Sequence, residues 1–184
     1  MAAFNSYFLL VIIFAISVFI LFPHFSVDQK LAKREIDIID YDENVEKYLN
    51  KYQNSLGDDL EAYRNHIYRV LTYAMFYLND NDQYQPIVSV ALVYHDLGLW
   101  TDSKLNYLEV SCKRAKKAMK DNGFNSRDIN LAQDIIYYHH KITPFTGAST
   151  STGTGGVDAA YNEVVNAVRK ADWIDASYGI VNFG

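Results

Sequence analysis

The strongest constraint in this chain is the stretch Val90 to Trp100, V-A-L-V-Y-H-D-L-G-L-W. It begins apolar on every side and then sets a histidine beside an aspartate. A helix that is apolar all round belongs in the middle of a domain. His95 and Asp96 therefore reach the edge of a core, where burying them bare is costly. They must be paired, bound or functional.

The chain has 184 residues, of which 49% are apolar, enough for one domain with a packed core and an extra segment. A net charge of −5 argues against a nucleic-acid polymer as partner. The single cysteine, Cys112, excludes an intramolecular disulfide.

The extra segment is N-terminal. Ala2 to Pro23 carries no charged side chain, and Tyr7 to Phe22 is almost unbroken apolar sequence. Residues 4–22 approach the ~20 residues with which a helix crosses a bilayer. A cleaved signal peptide is the rival reading, but no Lys or Arg precedes the run and no small-x-small site follows it. A buried core helix fits less well. Lys30, Lys33 and Arg34 follow the span, so the positive-inside bias puts the C-terminal part in the cytoplasm. The expectation is a single-pass membrane protein. Residues 1–26 form the anchor, 27–57 a linker and first helix, and 58–184 the folded domain.

That domain reads as helices throughout. Glu43 to Leu56 has Val45, Tyr48, Leu49 and Tyr52 at helical spacing, with Gly57 as its C-terminal stop. Asp58 suits the cap of a second helix running to about Leu78, with Tyr63, Ile67, Val70, Leu71, Ala74 and Met75 along one stripe. Pro86 suits the start of the central helix. A basic helix follows over about Tyr107 to Asn122. Ser126 suits the cap of a helix over Arg127 to His140, and Asp158 the cap of a last helix to about Ala176. Gly147 to Gly156 is a loop on composition. Strand-like alternation is absent, which predicts an all-α bundle.

Four of the five histidines lie in these apolar-rich helices, and His24 abuts the N-terminal run. His66, the His95–Asp96 pair and Asp172 come from three helices and suit a divalent metal such as Mn²⁺, Fe²⁺, Co²⁺, Ni²⁺, Zn²⁺ or Mg²⁺. Two imidazoles and two carboxylates neutralise a dication and leave positions for water and substrate. Each residue alone also suits a plainer role. His66 could be a core histidine, Asp172 a cap, and His139 with His140 a surface pair.

The segments N-H-I-Y-R-V (from Asn65), A-L-V-Y-H-D-L-G (from Ala91), I-I-Y-Y-H-H-K (from Ile135) and R-K-A-D-W-I-D (from Arg169) share order and helical context. Together they resemble the H…HD…D pattern of the HD-domain metal-dependent phosphohydrolases, over roughly Asp58 to the end. The resemblance implies a helical bundle with His66, His95, Asp96 and Asp172 as metal ligands. It implies hydrolysis of a phosphomonoester or phosphodiester, with nucleotides among the substrates of the family. His139 and His140 then bind a second metal or contact the substrate phosphate. Asp96 would also accept the proton of the attacking water. Arg69 becomes an ion-pair partner of the site or a substrate contact, Lys141 a candidate substrate contact, and Asp175 a partner of the ligands. Two other readings use the same residues: a hydratase or lyase, and a non-catalytic metal-binding module. An oligomer fits any of the three.

Overall fold

The structure, a computed structural model, describes residues 35–102, 106–147 and 158–181. They are helical, with no strand among them. The expected span at residues 4–22 lies outside the described residues, as does nearly all of the Gly/Ser/Thr loop. Among the described residues no helix is long and apolar enough to cross a membrane.

The helices are α1 (Glu43–Leu49), α2 (Gln53–Leu56), α3 (Leu60–Tyr77), α4 (Gln85–Tyr94), α5 (Gly98–Thr101), α6 (Tyr107–Asp121), α7 (Ser126–Tyr138) and α8 (Ala159–Ala176). Helix α4 is the hub, touching α1, α3, α6 and α7. From Ile87 to Tyr94 every residue of α4 is buried. Around it, α3 packs on α8, α6 on α7 and α7 on α8. The stripe expected along the second helix, from Tyr63 to Met75, is buried as one face of α3.

Several boundaries differ from expectation, each for a local reason. The first expected helix is broken, because α1 gives way to a 3-10 turn at Asn50–Tyr52 before α2. The turn lets Tyr52 meet Tyr94 edge-on at 5.8 Å. Gly57 does stop the chain, at φ 53°. Asp58 does not cap α3; it sits with Asp59 in a second 3-10 turn. The Asp59 carboxylate instead accepts from the Trp100 indole at 2.9 Å, so a tertiary partner takes the place of a cap. Asn125 rather than Ser126 caps α7, accepting from the Asp128 amide at 3.0 Å. Asp158 caps α8 as expected, accepting from the Tyr161 amide at 3.0 Å. Helix α7 ends at Tyr138, which leaves His139 and His140 in the turn beyond it.

Gly98 lies where α5 crosses the start of α6. A Cβ there would run into the backbone carbonyl of Tyr107, an atom that cannot swing aside. The Gly98 amide also donates to the buried Ser111 hydroxyl at 3.1 Å. Gly98→Ala should therefore force α5 and α6 apart and cost about 1–3 kcal/mol. Urea unfolding will show this as a lowered midpoint with an unchanged slope.

Candidate metal centre

The last turn of α4 sets the centre. Carbonyls at a helix C-terminus lack intrahelical donors. Here they are satisfied by site residues. His95 Nδ1 donates to the Leu92 carbonyl at 2.6 Å, and the Tyr63 hydroxyl donates to the Val93 carbonyl at 3.0 Å. A proton held on Nδ1 leaves His95 Nε2 with its lone pair, aimed into the cluster. Burial, chiefly, depresses the His95 imidazole to about 4, so it stays neutral at ordinary pH.

His66 reaches the same point from α3. Its Nε2 stands 3.0 Å from His95 Nε2 and 3.4 Å from Asp172 Oδ1 on α8. Asp172 Oδ1 is 3.7 Å from His95 Nε2, and Asp96 Oδ2 is 3.4 Å from it. The far side of His66 is held as well, since Nδ1 is 2.7 Å from Asp175 Oδ2. Arg69 in turn grips Asp175 with two bonds, Nε to Oδ1 at 2.5 Å and Nη2 to Oδ2 at 3.0 Å. Burial lowers the His66 pKa, but its bonds to Asp172 and Asp175 outweigh this and raise it to about 9. The protonated His66 donates its Nε2–H to the neutral His95 Nε2 at 3.0 Å.

A second group adjoins the first through Asp96. His139 repeats the device of His95, with Nδ1 donating to the Ile136 carbonyl at 2.6 Å and Nε2 turned inward. That Nε2 is 3.3 Å from Asp96 Oδ1 and 2.7 Å from His140 Nδ1. Asp96 thus belongs to two sets of potential ligands: His66, His95 and Asp96, and Asp96, His139 and His140. Burial opposes ionisation of Asp96, but the imidazoles around it win and hold its carboxyl far below the usual range. Burial pulls the His139 pKa down while the Asp96 carboxylate pushes it up, and the net shift is upward.

The two proposed substrate contacts lie apart from this core. The Arg69 guanidinium is engaged with Asp175. The Lys141 ammonium rests over the Tyr137 ring at 5.0 Å, although its charge helps to depress His140. Sequence reasoning missed three contributors. Tyr63 stacks on His95 at 5.8 Å, and its position three residues before His66 on the same stripe was a usable signal. Arg169 is 2% exposed and donates to the Lys141 and Ile142 carbonyls at 3.1 and 3.0 Å, fixing the turn after the double histidine. Tyr107, at the start of α6, brings its hydroxyl to 3.4 Å from His140 Nδ1. Only the tertiary packing of α6 reveals it. Burial, then the Asp96 charge, push the Tyr107 phenol far above its ordinary value.

The donors fit a divalent ion. Two ligands about 2.1 Å from one ion stand about 3.0 Å apart at a right angle and about 3.4 Å apart at the tetrahedral angle. His66, His95, Asp96 and Asp172 span 3.0–3.7 Å in the four pairs given above. Each imidazole of this set has its other nitrogen bonded outward, as metal-binding histidines do. No protein-family profile, curated protein or solved structure matches the chain.

Two outcomes follow for metal binding. Asp175→Asn keeps the shape of the side chain but weakens its hold on His66. It should lower divalent-metal affinity about 10–100-fold in a chelator-competition titration. Because His66 is protonated below about pH 9, an ion that takes its Nε2 must displace that proton. Calorimetry at pH 7 in buffers of different ionisation enthalpy should show close to one proton released from this group. Affinity should fall as the pH is lowered.

Proposed function

We propose that this chain is a metal-dependent phosphohydrolase acting on a small phosphomonoester or phosphodiester, with nucleotides among the candidates. The observation that carries the reading is the convergence of His66, His95, Asp96 and Asp172 from α3, α4 and α8. Their inward atoms lie within 3.0–3.7 Å of a neighbour, and both imidazoles are oriented from behind. The likeness of the four histidine and aspartate segments to the HD-domain superfamily supports the same conclusion.

His66, His95, Asp96 and Asp172 would hold one divalent ion, and Asp96, His139 and His140 a second where one binds. Such an ion supplies Lewis acidity toward a phosphoryl oxygen and makes water more acidic. The chain supplies the rest. Asp96 would also accept the proton of an attacking water. His139, whose Nε2 is 3.3 Å from Asp96 Oδ1, would contact the substrate phosphate. Arg69 orients His66 through Asp175 instead of meeting substrate. Lys141, one residue beyond His140, would be the remaining cation for a substrate phosphate. The reading keeps the chain on a membrane through residues 4–22, with the helical domain on the cytoplasmic side.

The test uses the full-length chain. Metal content is measured beside phosphate release from p-nitrophenyl phosphate, bis(p-nitrophenyl) phosphate and a nucleotide panel, with Mn²⁺, Ni²⁺ or Mg²⁺ added. The parent should hold stoichiometric metal and release phosphate. His95→Ala and Asp96→Ala should each lose both. Turnover retained in the two variants would overturn the assignment. Metal held without turnover on any phosphoester would favour a binding module or a hydratase.

A further inference from the structure

The chain brings one more hydroxyl to the centre than the metal-ligand pattern requires. Tyr107 is the first residue of α6, a helix that otherwise supplies neither ligand nor partner to the cluster. Its placement is deliberate in steric terms. Gly98 leaves room for the Tyr107 backbone where no other residue would, and buried Ser111 ties the next turn of α6 to the Gly98 amide. The result is a half-buried phenol whose ring centroid lies 6.3 Å from that of His140.

The hydroxyl has two polar neighbours, His140 and the Asp96 carboxylate, which accepts its hydrogen bond. Its contact with His140 Nδ1 is 3.4 Å, long for an O–H donor. The oxygen also bears on the Asp96 carboxylate, so it stands beside the one residue common to both ligand sets. Cationic side chains nearby are otherwise engaged: Arg69 with Asp175, and Lys141 over Tyr137. A phosphoryl group entering beside Asp96 and His140 would meet the Tyr107 hydroxyl as a neutral donor.

We propose that Tyr107 is a catalytic residue of this centre, its O–H donating a hydrogen bond to a non-bridging phosphoryl oxygen of the substrate. The inference rests on the phosphohydrolase reading above. No proton changes hands; the phenol stays intact and stabilises charge that grows on that oxygen in the transition state. Removing one such donor costs about 10²–10³ in turnover where the geometry is good, and less where other donors share the oxygen.

The experiment compares Tyr107→Phe with the parent as full-length, metal-loaded chains. Phenylalanine keeps the ring against His140 and leaves the backbone beside Gly98 untouched. Four quantities are read: metal content, kcat and KM on p-nitrophenyl phosphate, and orthovanadate affinity by calorimetry. The expected result is unchanged metal content, kcat lowered by about 10²-fold with KM within about threefold, and vanadate bound about tenfold more weakly. Unchanged kcat and vanadate affinity would overturn the inference and leave the phosphohydrolase reading intact. Loss of metal from Tyr107→Phe would overturn it too, because Tyr107 would then serve to position Asp96 and His140. A parent that holds metal but neither turns over phosphoesters nor binds vanadate would sink the reading itself, and the inference with it.

Discussion

The hydrogen bond from His95 Nδ1 to the Leu92 carbonyl joins the fold to the site. Helix α4 is buried from Ile87 to its C-terminal end, so its terminal carbonyls cannot turn to water. A histidine one turn on satisfies one of them, and the same bond fixes which nitrogen of the ring faces inward. Core formation and ligand orientation are thus one event. His139 does the same at the end of α7 through the Ile136 carbonyl. Two helices that end in the core each turn an imidazole Nε2 toward Asp96, His95 to Oδ2 and His139 to Oδ1.

The outer contacts follow from the same need to satisfy buried polar groups. Asp175 would be an expensive carboxylate at its depth without His66 and Arg69. Burial raises its pKa, yet those two partners outweigh this and hold it at about 2. Arg69 can stay half in water while its guanidinium locks the carboxylate from outside, a geometry that suits a planar fork better than a lysine. Arg169 shows the converse. Its guanidinium is buried and spent on backbone carbonyls, which holds the His139–His140 turn closed against α8.

Most of the helical layout was legible because burial writes a period into sequence. The α3 stripe from Tyr63 to Met75 and the unbroken apolar run of α4 needed only spacing. The Asp158 cap was legible for a local chemical reason. Asp58 was not, because Asp59 beside it found a tertiary partner in Trp100, which no spacing rule contains. The same divide runs through the site. Histidine and aspartate are few enough, and placed so close to apolar runs, that His66, His95, Asp96, His139 and Asp172 stood out. Arg69 stood out by its place one step after His66, and its charge is committed to Asp175. Tyr107 looked like one tyrosine among fifteen. What marks it is Gly98, and the meaning of that glycine depends on α6 crossing it.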